Sequence, residues 1–182
     1  VPALDRPLSE ISEIRRYPPI SIVACAELLL TARPATAQRR NMADRPFSAA
    51  DRELVDAATA LIKERYRENR HHIAAAARGA SGKIYTGLHL DTYVGRASVC
   101  AEAVAVGQAM AAGETGISAI VSVRHPRPRE QHREPQIVSP CGICREMLND
   151  FAPGAAVLLP GASSPESQPV ESLLPMKYRR QP

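Results

Sequence analysis

Three cysteines in two separated stretches constrain this chain more than anything else in it: Cys100-Ala101-Glu102, and Pro140-Cys141-Gly142-Ile143-Cys144. A two-residue spacer lets one turn at a helix start present Cys141 and Cys144 to a single ion, and Cys100 has to reach the same point from a second helix start. Any fold for this chain must therefore bring two helix N-termini together. Zinc in a hydrolytic site takes three protein ligands and leaves one position for water, and Cys100, Cys141 and Cys144 supply three. Glu102, two residues after Cys100, falls on the first turn of the same helix, where it points beside the metal without ligating it. That placement suits a proton carrier, moving protons between water at the open position and a bound substrate. Three thiolates around one divalent ion leave surplus negative charge, which two helix N-termini and Arg145 partly offset.

Other readings of the same cysteines remain. Cys141-Gly142-Ile143-Cys144 alone fits a thioredoxin-like redox pair, which leaves Cys100 and Glu102 unexplained. Four cysteines could form two disulfides in a secreted protein, but the spacing favours metal. A closed structural zinc site needs Cys25 or a histidine as fourth ligand, and the chain would then be a noncatalytic, zinc-stabilised binding or assembly module. Against that module, a buried glutamate with no task is costly.

The 182 residues suit one domain, and 45% hydrophobic content with 4% aromatics and no Trp means a core of Ala, Val, Ile and Leu. A net charge of +4, with basic and acidic residues interspersed, gives neither the concentrated basic face nor the stacking aromatics of a nucleic-acid binder. A substrate base within RNA or DNA is disfavoured for that reason. The apolar run 20–30 is interrupted by Glu27 and too short to span a membrane. Arg15-Arg16 before it and Ala35-Thr36-Ala37 after it give it a faint secretory-signal character. The plainer expectation is an extension over 1–41, disordered or upstream of a natural start at Met42, preceding a cytoplasmic zinc domain over 42–182 with no membrane association.

Ser48, with Asp51 three positions on, predicts a helix start, and Leu54, Val55, Ala58, Leu61 and Ile62 form its apolar stripe to about Arg70. Strands are expected over 71–78 and 83–90, joined by a hairpin at Gly79-Ala80-Ser81-Gly82. A buried helix over 100–112 stops at Gly113, a strand follows over 117–123, and a basic, Pro-rich loop covers 125–135. Such a loop is usually only solvated; here it precedes Cys141, where it can rim a pocket and favour an acidic or extended substrate. A helix over 141–151, a strand over 155–159, a loop over 160–169 and a helical turn over 170–174 complete the chain. This order implies a mixed sheet covered by helices.

Residues 48–178 resemble the cytidine deaminase family. Gly82-Lys83-Ile84-Tyr85-Thr86-Gly87 is similar to its hairpin, Val99-Cys100-Ala101-Glu102 and Ser139-Pro140-Cys141-Gly142-Ile143-Cys144-Arg145 to its zinc motifs, and Glu171-Ser172-Leu173-Leu174-Pro175-Met176-Lys177-Tyr178 to its closing segment. The resemblance implies an α/β, three-layer α/β/α fold with a five-stranded mixed sheet. It also implies a homotetramer whose sites borrow residues from neighbouring subunits, and Zn²⁺ held by Cys100, Cys141 and Cys144 with Glu102 as catalytic residue. The implied substrate is a small nucleoside-like molecule whose cytosine-like base loses its exocyclic amine as ammonia, with contacts at His72, His89, Asp91, Ala101 and Tyr178. His89 and Asp91 stand where the family holds ribose with Asn and Glu; His71 stands in place of a Phe, and Ala103 in place of the Arg after the catalytic Glu. That pattern is closer to the blasticidin-S deaminase branch.

Overall fold

The computed structural model describes residues 47–180. The expected 1–41 extension, with Cys25 and the apolar run, lies outside the described residues.

The first helix, α1 (Ala49–Arg65), starts as its sequence requires. Ser48 and Asp51 form a reciprocal capping box: the Asp51 N–H donates to Ser48 Oγ at 3.2 Å, and the Ser48 N–H donates to Asp51 Oδ2 at 2.9 Å. Leu54, Ala58 and Ile62 are wholly buried, one per turn on the face toward the sheet. The helix stops at Arg65 rather than near Arg70. Tyr66 leaves the helical region, and Asn69 at φ 59° turns the chain so that Arg67 bridges His71. Asn tolerates that left-handed conformation better than most residues.

Six strands follow: β1 (Ile73–Gly79), β2 (Ile84–Leu88), β3 (Ile117–Arg124), β4 (Gln136–Val138), β5 (Ala156–Leu159) and β6 (Glu166–Pro169). Between them run α2 (Ala101–Ala111) and α3 (Gly142–Phe151). The sheet order is β2-β1-β3-β5-β6, with β4 paired to the end of β3 beyond β5. Only β3 and β5 are parallel, so the sheet is mixed, as expected. The five-strand path matches the expected sheet, and β4 adds a short sixth strand. Two strands are not anticipated by the sequence: 136–138, between the expected loop and Cys141, pairs with β3, and 166–169, expected as loop, covers the outer edge of β5. Neither has the apolar alternation by which a strand is read; each is held by ladder hydrogen bonds at the sheet's margin.

The layers follow from residue parity in β1. Ala74 and Ala76 join Leu54, Ala58 and Ile62 in the core beneath α1, whereas Ala75 and Ala77 join Ala101, Ala105 and Leu148 beneath α2 and α3. All four alanines are completely buried. This is the three-layer α/β/α arrangement, with small side chains letting helices approach both faces. The approach is closest at Gly87, where an added Cβ would lie 2.4 Å from Ala101 O and 2.5 Å from Ala105 N. The end of α2 is set by Gly113 at φ 88°, whose N–H caps Met110 O at 3.0 Å.

The ladder registers align three strand ends. Ile73 pairs with Arg124 and Ala74 with Leu88, so the start of β1 and the ends of β2 and β3 share one sheet edge. A Leu90–Val99 bridge returns the chain to that edge just before Cys100.

Gly87→Ala is expected to destabilise the fold by about 1–3 kcal/mol through backbone overlap. Gly107→Ala, on an open face of α2, is expected to stabilise by about 0.5–1 kcal/mol. Urea midpoints of the two variants check the pair, and equal midpoints would show that β2 and α2 are not in close contact.

Candidate active site

Cys100 and Cys141 are the N-cap residues of α2 and α3, and Cys144 lies in the first turn of α3. Neither cap uses its side chain to satisfy its helix, so both sulfurs are free to face inward. Cys100 Sγ is 3.7 Å from Cys141 Sγ, Cys141 Sγ is 3.6 Å from Cys144 Sγ, and all three lie within 4.8 Å of one another. Tetrahedral Zn–S bonds of about 2.3 Å place sulfurs about 3.8 Å apart, so the spacing fits a shared zinc ion.

The electrostatics agree. Burial, and then the Glu102 charge, push the Cys144 thiol far above its usual range. Burial likewise raises Cys100. Cys141 is also opposed by burial, yet the Cys144 N–H, the neighbouring thiols and the Ile143 N–H outweigh it and bring it below the ordinary value. Two thiols that resist ionisation beside one that ionises more readily are completed by a cation, which deprotonates its ligands. The two helix N-termini contribute in the same sense.

Glu102, on the first turn of α2, is 5% exposed, and no described residue hydrogen-bonds its carboxylate. A buried carboxylate without a partner costs stability, so its place beside the thiols is not explained by packing. Arg145 does more than balance charge: its guanidinium donates to Pro140 O at 2.9 Å, Ser139 Oγ at 2.9 Å and Leu173 O at 3.4 Å. It clamps the segment entering Cys141 to the C-terminal turn, a role that only the fold reveals.

The expected substrate contacts separate. Ala101 is buried at the start of α2, its carbonyl against Gly87. His89 and Asp91 follow β2 at the sheet edge that carries Cys100. His71 Nδ1–H donates to His89 O at 2.8 Å, while His89 Nδ1 is buried without a partner. Asp91 accepts from Ser98 Oγ at 3.3 Å and lies 3.9 Å from His72 Nε2. His72 itself is only 8% exposed, has the parity of the α1 face, and meets Tyr66 edge-on at 5.9 Å between ring centroids. Tyr178 is 78% exposed and lines a cleft with Glu146, Phe151 and Lys177, to which none of the three cysteines contributes. The fold thus gathers Cys100, Cys141, Cys144 and Glu102, places His89 and Asp91 near Cys100, and leaves Tyr178 apart from them within one chain. Gly87 and Arg145 act at the site only through the fold; the motif residues themselves carry no signal of how close β2 comes to α2.

A three-cysteine metal site beside a buried glutamate, on a three-layer sheet, defines a zinc-dependent deaminase class. Residues 48–159 match the cytidine and deoxycytidylate deaminase zinc-binding region, and the chain belongs to that family. It is 43% identical to blasticidin-S deaminase of Bacillus cereus over 74% of this chain and 96% of that protein. It is also 35% identical to cytidine deaminase of Shewanella loihica over 69% of this chain, spanning 37% of that longer protein. The crystal structure of cytidine deaminase from Bacillus anthracis superposes with a TM-score of 0.59 at 26% identity, covering 70% of this chain and 88% of that one. The fold and zinc cofactor expected from the motifs are borne out.

Cys144→Ala is expected to lower bound zinc from about one ion per chain to a small fraction, measured by metal analysis after dialysis. A full ion retained would remove Cys144 from the ligand set. A second expectation concerns the neighbouring 125–135 loop. The Arg124 guanidinium and the Arg127 N–H hold Glu130 down to about 2 from 4.5. Because the folded value is the lower one, the pair's stabilisation is complete above about pH 4.5 and fades as pH falls toward 2. The stability difference between wild type and Glu130→Gln should narrow over that window in denaturant titrations; a constant difference would show that Glu130 stays paired in acid.

Proposed function

We propose that this protein is a zinc-dependent hydrolytic deaminase that converts the exocyclic amine of a cytosine-like base to a carbonyl with release of ammonia. Its substrate is read as a nucleoside, or a nucleoside antibiotic such as blasticidin S. The observation that carries this reading is the buried, unpartnered Glu102 beside three sulfurs at mutual zinc-ligand spacing. Cys100, Cys141 and Cys144 would hold the ion. When bound, zinc supplies a Lewis acid that acidifies water at its fourth position. Glu102 takes a proton from water at its carboxylate and passes it to a ring nitrogen of the base, then takes a second from the hydroxyl added to the base carbon and gives it to the departing amine as the carbonyl forms. Its burial keeps those transfers away from bulk solvent. Ala101 packs beside the base through its backbone, and His89 and Asp91 hold the sugar, the Asp91 carboxylate being already oriented by Ser98. His72 supports this pair from behind through its approach to Asp91.

We read the assembly as a homotetramer. Leu90, Tyr93, Val94 and Val99 precede Cys100, Ile143 follows Cys141, and all are exposed apolar side chains in one chain. A second copy would cover them, and Tyr178, away from its own thiols, would then reach a neighbour's site. Closely spaced thiols persist in a reducing compartment, which suits a cytoplasmic protein. No helix among the described residues is long and apolar enough to cross a membrane.

Ammonia release from zinc-loaded protein across cytidine, deoxycytidine, blasticidin S and modified cytosines tests the assignment. Glu102→Ala should retain zinc yet lose about 10²–10⁴ in kcat. Full turnover by that variant would sink the proton-carrier role, and silence of the wild type toward the whole panel would favour a noncatalytic zinc module. Light scattering should give four chains per particle; a fully active monomer would rule out borrowed residues.

A further inference from the structure

Four wholly inaccessible side-chain polar atoms lack a hydrogen-bond partner among the described residues, and three of them belong to one group of rings: Tyr66 Oη, His72 Nδ1 and His89 Nδ1. His72 is the common neighbour, its ring centroid 5.9 Å from that of Tyr66 and 6.3 Å from that of His89. Unpaired polar atoms are rare in a folded interior, and three on adjoining rings call for a shared partner.

The surroundings decide which of these atoms donate. His72 Nε2 accepts the Asn69 N–H at 3.0 Å, so the neutral ring carries its proton on Nδ1. Burial first, and then the Arg127 charge, push His72 below its ordinary value of 6.5, so the ring is neutral at pH 7. Burial first, and then the Glu68 charge, raise Tyr66, so the phenol keeps its proton and is a second donor. Stacking on His125 at 4.0 Å fixes the Tyr66 ring in place.

His89 is the member that reaches the site. Leu90 and Val99 exchange backbone hydrogen bonds of 2.9 and 3.0 Å, and the residues flanking that bridge are His89 and Cys100. Only the Nδ1 of His89 is among the inaccessible atoms; its Nε2, which makes no hydrogen bond within the chain, lies on the accessible side.

Two donors and one nitrogen of open tautomer, none bonded to another, fit a single water molecule. A cation does not fit, since His72 Nδ1 has no lone pair to offer. A water can accept from His72 Nδ1 and Tyr66 Oη and donate to His89 Nδ1, which engages all three atoms and requires His89 to carry its proton on Nε2. With the proton on Nδ1 instead, the two imidazoles take both lone pairs of the water, and the phenol proton has no acceptor.

We propose that Tyr66, His72 and His89 hold one buried water, and that this water makes His89 a hydrogen-bond donor toward an oxygen of the substrate. Tyr66 and His72 are then positioning residues that act on the substrate through His89. Asp91, two residues on, can only accept when ionised, so the two side chains ask opposite things of a substrate. The inference rests on the deaminase reading for what His89 meets, and on the rings alone for the water and the tautomer.

The test observes the His89 ring nitrogens by NMR in isotope-labelled, zinc-loaded full-length protein at about pH 8, where imidazoles are neutral. Wild type, Tyr66→Phe, His72→Leu and His72→Asn are compared, with KM and kcat for ammonia release measured alongside. Wild-type His89 should favour the Nε2–H form about tenfold or more. In Tyr66→Phe and His72→Leu the water regains a free lone pair, and the ratio should fall toward one. His72→Asn, whose amide N–H stands where Nδ1–H does, should restore it. KM should rise about three- to tenfold in Tyr66→Phe and His72→Leu, with kcat changed less and bound zinc unchanged. A wild-type His89 with its proton on Nδ1, a ratio unmoved by Tyr66→Phe and His72→Leu, or one no different between His72→Leu and His72→Asn would overturn the water site. A shifted ratio with KM unchanged would overturn the donor role. The expected ratio in a protein that releases no ammonia from any cytosine-like substrate would sink the deaminase reading alone. Ammonia release by a protein whose His89 is protonated on Nδ1 would sink the water site alone.

Discussion

The structure depends on the meeting of three sulfurs at the N-termini of α2 and α3. Thiols brought this close repel one another once ionised, and burial of Cys144 makes ionisation harder still. A divalent cation and two helix dipoles are what make the cluster tolerable, so metal binding and local folding are one equilibrium. The rest of the scaffold serves that convergence. Gly87 lets β2 run against the backbone of α2, which sets where Cys100 lies. Arg145 ties the entry to Cys141 onto the C-terminal turn through Ser139, Pro140 and Leu173. Lys177, reaching Glu146 at 2.7 Å and Asp150 at 2.9 Å, holds that C-terminal segment on α3.

A core made largely of alanine and branched aliphatics follows from the same demand. Ala74 to Ala77 put small side chains on both faces of β1, so that α1 approaches from one side and α2 from the other. A larger residue at any of these positions would push a helix outward by a fraction of its diameter. At the metal such a shift would be felt directly, because sulfur spacing tolerates little change. The site is precise because the layers beneath it are thin.

Reaction and substrate are specified by different parts of the molecule. The proposed reaction rests on four side chains at two helix starts. The substrate contacts proposed above fall in the segments around them, His89 and Asp91 after β2 and the apolar stretch before Cys100. Those segments connect elements whose positions are already determined, so they can vary without disturbing the metal. His89, Asp91 and Ala103 depart from the cytidine deaminase pattern in this region, while the three cysteines and Glu102 do not.

The chain's sequence alone was enough to determine that Cys100 and Cys141 start two helices with Glu102 and Cys144 on their first turns, the capping box at Ser48 and the order of most elements. Each of these depends on local spacing: two residues between cysteines, three between Ser48 and Asp51, a helical stripe in α1. The resemblance to a family supplied the layered fold. Only the tertiary structure decided which histidine faces which way. His71 and His72 are neighbours just before β1, yet the alternation carried back from that strand sends His72 to Tyr66 and leaves His71 bonded to the carbonyl of His89. It likewise decided that 136–138 and 166–169 pair as strands, that α1 ends at Tyr66, that Arg145 is a clamp, and that both acids of the basic loop are taken by Arg124 and Lys63. None of these could be read along the chain, because each depends on where folding places its partner, near in sequence for Arg124 and Glu130 and distant for Lys63 and Glu134.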